Sequence, residues 1–192
     1  MDISIQKSKL KSFKKIKITG SKSESNRLLL LQALYPEIAI ENVSNSDDSV
    51  LMQKALESDE PIVDIHHAGT AMRFLTAYLS IQEAEEVVIT GSSRMKERPI
   101  KILVEALRTL GADITYLEKD GFPPLKIMGK KLKRNKVTLE ANVSSQYISA
   151  LLLIASKLDK GLEVTLNGEI TSVPYIKMTL SLLNELGIKT RF

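Results

Sequence analysis

The chain has 192 residues, of which 43% are hydrophobic and 26% are charged, and these proportions exclude a wholly disordered chain. It contains no cysteine, which excludes disulfides, thiolate nucleophiles and cysteine-ligated metals. The net charge of +4 is uneven, because residues 1–22 carry seven lysines and one acid, and residues 130–136 carry five positive charges and no acid.

Hydrophobic periodicity predicts regular elements along the whole chain. In the first part of the chain it predicts strands at 3–5 and 15–19, a helix at 25–34, a strand at 38–43 and a helix at 47–57. In the middle part it predicts a strand at 62–66, a helix at 69–80, a strand at 86–90, a helix opened by Pro99 and ended by Gly111, and a hairpin of strands 114–117 and 125–128. In the last part it predicts a strand at 137–139, a helix at 145–157, a strand at 162–166, a helix at 174–186 and a last strand at 188–192. The longest apolar run, residues 150–155, is far too short to cross a bilayer, so no membrane partner is expected.

The residues that end strands and helices recur at a nearly constant spacing. Strand-ending glycines, helix-opening prolines and helix-ending glycines recur at offsets of 77, 75 and 76 residues, in the pairs Gly91 and Gly168, Pro99 and Pro174, and Gly111 and Gly187. A constant offset of this kind indicates an internal repeat. With a shorter copy that starts near Gly20, it predicts an α/β fold built as a pseudo-threefold repeat of βαβαββ-type units, with buried helices and outer sheets and an incomplete third unit.

Each predicted unit begins a helix just after a small or hydroxyl-bearing stretch. These stretches are Gly20-Ser21-Lys22-Ser23, Ala68-Gly69-Thr70 and Val143-Ser144-Ser145. If the units are related by symmetry, the helix starts converge, and their free N–H groups would favour a phosphate or a carboxylate. The alternative is that each hydroxyl only caps its own helix.

The two basic runs allow two interpretations. Lysine runs are most often solvated faces, and otherwise they attract anions. No aromatic residues interleave with either run, as stacking on nucleic-acid bases would need. Nucleic acid is therefore not expected as a partner, and an anionic small molecule is favoured.

Six short segments carry a resemblance to a known family. They are Gly20–Arg27, Ser46-Asp47-Asp48, Ala68-Gly69-Thr70-Ala71-Met72-Arg73, Arg94-Met95-Lys96-Glu97-Arg98-Pro99, Val143-Ser144-Ser145-Gln146 and Ser172-x-Pro174-Tyr175. In this order they resemble the motifs of the 5-enolpyruvylshikimate-3-phosphate synthase family, also called 3-phosphoshikimate 1-carboxyvinyltransferases. The resemblance covers nearly the whole chain.

The resemblance implies a cytoplasmic transferase of the shikimate pathway, which supplies chorismate for aromatic amino-acid biosynthesis and is the target of glyphosate. Such an enzyme moves the enolpyruvyl group of phosphoenolpyruvate onto the 5-hydroxyl of shikimate 3-phosphate. The route is addition and then elimination through a tetrahedral ketal phosphate, with no metal and no organic cofactor. Both substrates are polyanions, which suits cationic and hydroxyl donors.

The resemblance also implies roles for individual residues. Shikimate 3-phosphate would contact Lys22, Ser23, Arg27, Ser144, Ser145, Gln146, Ser172 and Tyr175. Phosphoenolpyruvate would contact Lys22, His67, Gly69, Thr70 and Arg98. Lys22 would act catalytically in proton transfer, Arg98 would grip an anionic group with its forked guanidinium, and Gly69 would leave room for the substrate. Asp48 is a further candidate, whereas Arg73 and Arg94 are left off the list because a surface position or a structural salt bridge would also explain them.

Two features depart from the family pattern. His67 stands where the family usually has Asn, and its protonation would make the affinity for phosphoenolpyruvate depend on pH near neutrality. A metal role is not expected, because His66 and His67 would point to opposite sides of a strand. Val173 stands where some members have Lys, which would weaken one phosphate contact at most.

A further departure is length, since members of this family are about twice as long and have two lobes. Residues 1–19 are therefore expected to be strands of the other lobe, and residues 20–192 the shikimate-binding lobe without the end of its third unit. The family's general acid and base candidates lie in the C-terminal half, which is the expected partner. The fragment alone is expected to bind substrate with little or no turnover.

Two other functions stay open from the sequence. One is a lobe like that of UDP-N-acetylglucosamine enolpyruvyl transferase, which shares the repeat but lacks the Arg-Met-x-x-Arg-Pro and Ser-Ser-Gln patterns in this form. The other is a non-catalytic RNA-binding module that uses the basic face.

Overall fold

The computed structural model describes residues 3–9 and 12–192. Its helices are α1 (Lys22–Leu34), α2 (Asp47–Leu56), α3 (Gly69–Leu79), α4 (Ser93–Lys96), α5 (Lys101–Leu110), α6 (Ser145–Ile154) and α7 (Val173–Glu185). Its strands are β1 (Ile62–Asp64), β2 (Glu86–Thr90), β3 (Asp113–Tyr116), β4 (Leu125–Met128), β5 (Lys136–Glu140) and β6 (Glu163–Asn167).

The strands form two sheets that helices connect. The first sheet has the order β1-β2-β4-β3, in which β1 and β2 are parallel and the other pairs are antiparallel. The second sheet pairs β5 with β6 in parallel. Parallel neighbours need a crossover, and α3 and α6 supply it for the two sheets. The predicted α/β class is therefore confirmed.

The core lies where one face of each sheet meets the helices. Burial alternates along β4 and β5, so that every second side chain faces the core. The helix α3 is buried at all but one of its eleven positions, and Phe74 at its centre is fully buried. None of the helices in the described ranges has the length and apolar character that crossing a bilayer needs.

Several local predictions are confirmed to the residue or nearly so. Strands 86–90 and 125–128 have the expected bounds, and 125–128 pairs antiparallel with β3 as the hairpin requires. Gly111 ends α5 with a φ of 113°, a left-handed conformation that glycine adopts without a Cβ clash.

Four predicted strands are wrong within the described residues: 3–5, 15–19, 38–43 and 188–192 form no strand. Ile3, Ile16 and Phe192 are 78%, 81% and 65% exposed. Alternation alone cannot make a strand, since each strand also needs a neighbour for its backbone hydrogen bonds. Of the segment 1–19, residues 1, 2, 10 and 11 lie outside the described residues.

The helix after β2 starts later than predicted. A separate turn, α4, precedes it and is capped by Ser92, whose Oγ accepts from the Met95 N–H at 3.4 Å. The Pro99 carbonyl accepts hydrogen bonds from Tyr147 and Arg73, and α5 begins only at Lys101. The helix predicted for 145–157 changes to a 3₁₀ turn after Ile154.

Alanine substitutions on α5 test the orientation of this helix. Leu107 is fully buried, whereas Ile102 on the same helix is 42% exposed. We expect Leu107→Ala to lower the free energy of unfolding by about 2–5 kcal/mol, because it removes contacts and leaves a cavity. Ile102→Ala is expected to cost less than about 1 kcal/mol. Urea unfolding followed by circular dichroism measures both, and equal losses would contradict the orientation.

Candidate functional site

A chain of polar contacts joins the starts of four helices, α1, α2, α3 and α6. Lys22 Nζ on α1 lies 3.7 Å from Asp48 Oδ2 on α2. The other oxygen of Asp48 accepts from the Thr70 N–H at 3.0 Å, and Gln146 Nε2 on α6 donates to Thr70 Oγ1 at 3.2 Å. The starts of α1, α3 and α6 therefore meet in one region, as the repeated hydroxyl stretches indicated.

The helix α3 does not offer its free N–H groups to that region. Asp48 Oδ1 accepts from the N–H groups of Thr70 and Ala71, at 3.0 and 3.3 Å. A carboxylate there satisfies orphan donors and meets the positive end of the helix dipole. These two N–H groups are therefore already bonded within the protein, and α3 also brings the Thr70 hydroxyl and the small Gly69 to the region.

Arg27 ties α1 to α6 and α7. Its Nε donates to Thr179 Oγ1 at 2.7 Å, and one terminal nitrogen donates to Ser149 Oγ at 2.8 Å. The other terminal nitrogen donates to the Ser23 carbonyl at 2.6 Å, within its own helix. The residue is only 3% exposed. These bonds hold the guanidinium in one orientation beneath the site.

The charge of Arg27 has no carboxylate partner among the residues that the structure describes. Burial lowers the pKa of Arg27 to about 10, so the guanidinium is still charged at neutral pH. It lies 5.4 Å from the ring centroid of Phe74 and 5.9 Å from that of Tyr175, distances at which aromatic faces attract a cation. A buried cation held only by neutral groups makes its surroundings favourable for an anion.

Two arginines, Arg94 and Arg98, line a cavity of about 380 Å³ together with His67 and Met95. Arg98 covers Gly69 so closely that a Cβ atom there would overlap the guanidinium. His67 Nε2 lies 3.2 Å from Asp47 Oδ2 at the start of α2. Within 3–9 and 12–192, no three His, Asp or Glu side chains are grouped so that they could hold a metal ion.

The predicted serines lie at the starts of α6 and α7. Ser144 caps α6, since its Oγ accepts from the Gln146 N–H at 3.3 Å. Ser172 precedes α7 in a left-handed conformation, with a φ of 56°, and its side chain does not cap the helix. Apart from this cap, no side-chain hydrogen bond in the described part links Ser144, Ser145 or Ser172 to the other predicted residues. Tyr175 is 44% exposed in the first turn of α7.

Sequence reasoning missed Ser149 and Thr179, the two hydroxyls that hold Arg27. Both are fully buried in largely apolar helices. A lone hydroxyl on a buried helical face is a readable signal, because buried polar groups need a hydrogen-bond partner. The role of Asp48 in capping α3 had no such signal, since 22 residues separate it from Thr70.

Arg73 forms no salt bridge in the described part of the chain. It is 4% exposed, and its terminal nitrogens donate to the carbonyls of Gly69 at 2.9 Å and Pro99 at 3.0 Å. Burial lowers its pKa from the ordinary value for arginine. Arg73 therefore links the backbone at the start of α3 to the backbone at Pro99, next to Arg98.

Most of the lysines in the basic run 130–136 are neutralised. The ion pairs are Lys130–Asp113 at 3.3 Å, Lys131–Asp159 at 2.8 Å and Lys136–Glu163 at 2.8 Å. This favours a solvated, ion-paired face over a surface for a polyanion.

Comparisons with known proteins place these observations in a family. Residues 53–191 match the family model described as EPSP synthase (3-phosphoshikimate 1-carboxyvinyltransferase). The chain is 51% identical over 173 residues to the 3-phosphoshikimate 1-carboxyvinyltransferase of Bacteroides fragilis (strain YCH46), covering 90% of this chain and 42% of that protein. It is 40% identical over 203 residues to the enzyme of the same name from Haemophilus influenzae (strain PittEE), covering 91% and 47%.

Solved structures agree on the fold. The EPSP synthase from Acinetobacter baumannii superposes with a TM-score of 0.75 at 22% identity, over 92% of this chain and 45% of that one. The chain thus spans less than half the length of these relatives.

Two glycine substitutions test the packing around Arg98. At Gly69 a new Cβ would overlap the movable tip of Arg98, whereas at Gly91 it would overlap the backbone carbonyl of His66. We expect Gly69→Ala to displace the guanidinium and leave the melting temperature nearly unchanged. Gly91→Ala should cost about 1–3 kcal/mol, because backbone cannot yield as a side-chain tip can.

Thermal unfolding of both variants and a crystal structure of Gly69→Ala provide the measurements. An unmoved Arg98 in that crystal structure, or equal destabilisation by the two substitutions, would contradict the close approach of Arg98 to Gly69.

Proposed function

The chain belongs to the EPSP synthase family, and on that premise we propose that it forms part of the site in which enolpyruvyl is transferred from phosphoenolpyruvate to the 5-hydroxyl of shikimate 3-phosphate. One observation carries the proposal. The contact chain from Lys22 through Asp48 and Thr70 to Gln146 brings four helix starts together. Two further cations lie beside it, since Arg27 bonds to the Ser23 carbonyl and Arg98 lies against Gly69. Cations and hydroxyls in one region are the chemistry that two polyanionic substrates need.

Shikimate 3-phosphate is assigned to the side of the site formed by α1, α6 and α7. The buried charge of Arg27, which neutral groups alone hold, supports a carboxylate nearby. The residues proposed for this substrate are Lys22, Ser23, Arg27, Ser144, Ser145, Gln146, Ser172 and Tyr175. The left-handed Ser172 supports a phosphate contact, since its hydroxyl is not used to cap α7.

Phosphoenolpyruvate is assigned to the cavity beside α3. The residues proposed for it are Lys22, His67, Gly69, Thr70 and Arg98. The forked guanidinium of Arg98 borders this cavity and suits a carboxylate or a phosphate. Protonation of His67 would add positive charge there, although Asp47 at 3.2 Å offsets part of it.

The proposed reaction proceeds by addition and elimination. The 5-hydroxyl oxygen bonds to the central carbon of phosphoenolpyruvate and gives up its proton, while the methylene carbon gains a proton, which gives a tetrahedral ketal phosphate. The C–O bond to phosphate then breaks, and the methyl group loses a proton to restore the double bond. Lys22, 48% exposed and paired with Asp48, is the group proposed to assist proton transfer and to stabilise developing negative charge.

We also propose the finer architecture that the sequence indicated. The order β1-α3-β2-α5 recurs as β5-α6-β6-α7, with a parallel strand pair in each, which supports two related units. A third unit around α1 and α2 would complete the pseudo-threefold arrangement of residues 20–192. The exposed isoleucines within residues 1–19 support pairing of that segment with the other lobe of a cytoplasmic enzyme.

The alternatives are less well supported. The matched family is named for 3-phosphoshikimate rather than for a UDP-sugar. The basic run proposed for RNA is largely ion-paired, as described above.

A serine substitution tests the shikimate 3-phosphate site. Ser145→Ala should weaken binding of shikimate 3-phosphate about tenfold or more, because a hydrogen bond to a charged group contributes about 1.5–3 kcal/mol. Isothermal titration calorimetry measures the dissociation constant. The matched control is Ser181→Ala, which removes an exposed hydroxyl near the far end of α7 and should leave the affinity unchanged.

Each result has a distinct meaning. If the chain binds shikimate 3-phosphate and Ser145→Ala binds it equally well, the assignment of Ser145 is wrong. If the unmodified chain shows no binding, the proposed substrate is wrong.

A further inference from the structure

Arg94 faces the same cavity as Arg98 and His67. The sequence left this residue open to a surface position or a structural salt bridge. Its side chain is exposed, and within the described residues it is absent from every ion pair and every side-chain hydrogen bond.

The position of Arg94 is set by the anchoring of α4. Met95 is 1% exposed and fixes the helix to the core. The Ser92 N–H donates to the His66 carbonyl at 2.9 Å, which ties the start of α4 to the end of β1. The Arg98 N–H donates to the Met95 carbonyl at 3.0 Å, so the backbone continues in a helical turn. Arg94 and Arg98 are therefore held one turn apart beside one cavity.

The charges around this cavity are unbalanced. Its lining contains two guanidinium groups, an imidazole and a thioether, and no carboxylate. Like charges one helical turn apart repel each other. An anion between the two guanidiniums would accept hydrogen bonds from both and remove that repulsion.

The contacts of Arg73 provide a comparison, because they are those of an arginine with a purely structural role. Both of its terminal nitrogens bond to backbone carbonyls, and it is buried. Arg94 has none of these contacts, so the fold does not account for its place at the cavity.

We propose that Arg94 is a second anion-binding residue of the phosphoenolpyruvate pocket and shares with Arg98 the grip on one anionic group of that substrate. This inference rests on the proposed function. Arg94 and Arg98 would then bind the same anionic group: the guanidinium of Arg98 packs against Gly69, and Arg94 is held on α4.

The test is a titration with phosphoenolpyruvate, at saturating shikimate 3-phosphate, followed through the arginine Nε–H signals in NMR spectra. Arg94→Gln should raise the dissociation constant about tenfold, as loss of a charge-assisted hydrogen bond does. Arg94→Lys should recover part of the affinity, because it restores the charge without the fork. The matched control is Arg191→Gln, which removes an exposed arginine that does not line the cavity.

The outcomes separate this inference from the proposed function. An unchanged dissociation constant in Arg94→Gln, together with weakened binding in Arg98→Gln, overturns the role of Arg94 and leaves the pocket in place. If Arg94→Gln and Arg191→Gln weaken phosphoenolpyruvate binding equally, the affinity depends only on net charge, and this result also overturns the role of Arg94. Unchanged binding in both Arg94→Gln and Arg98→Gln, or no shift of either signal in the unmodified chain, overturns the pocket itself. Equal melting temperatures of the variants establish that all of them are folded.

Discussion

The carboxylate of Asp48 joins the helices on which the site depends. One of its oxygens accepts from two backbone N–H groups at the start of α3, and the other lies 3.7 Å from the ammonium of Lys22. The side chain is only 15% exposed, so these partners replace much of the water that a carboxylate would otherwise bind. Since the partners lie on α1 and α3, the same group sets the mutual position of the two helices and the direction of Lys22.

Around this neutralised centre the site keeps an excess of positive charge. Arg27 is buried with neutral partners, and Arg94 and Arg98 border a cavity without a carboxylate. A fold gains little from cations placed in this way. Neutral groups only partly replace the hydration that the buried Arg27 loses, and no carboxylate in the cavity lining offsets the repulsion between Arg94 and Arg98. Such local conflicts are typical of binding sites, where the ligand supplies the missing charge.

Local signals explain the parts of the fold that were predictable. Gly111 marks the end of α5, because only glycine adopts its left-handed φ without strain. The strand at 125–128 was predictable from alternation, since its partner β3 is close in the chain. The predicted strands near the two ends of the chain were wrong because the described residues offer them no such partner close in the chain. Residues 3–5, 15–19 and 188–192 have the pattern of a strand but pair with no strand in the described part of the chain. A pattern by itself cannot reveal whether a strand edge is present for pairing.

The sequence by itself determined the α/β class, the recurring strand-helix order and the motifs that identify the family, because short-range periodicity and the special backbone preferences of glycine and proline encode them. Only the tertiary structure decided how each charged group is used. Arg73 and Arg94 look alike in the sequence, yet one bonds to backbone carbonyls and the other faces a cavity. Asp48 could be read as an acid in the first turn of α2, but it caps α3 across 22 residues. The role of a charge depends on burial and on partners that are distant in the chain, and no local pattern contains that information.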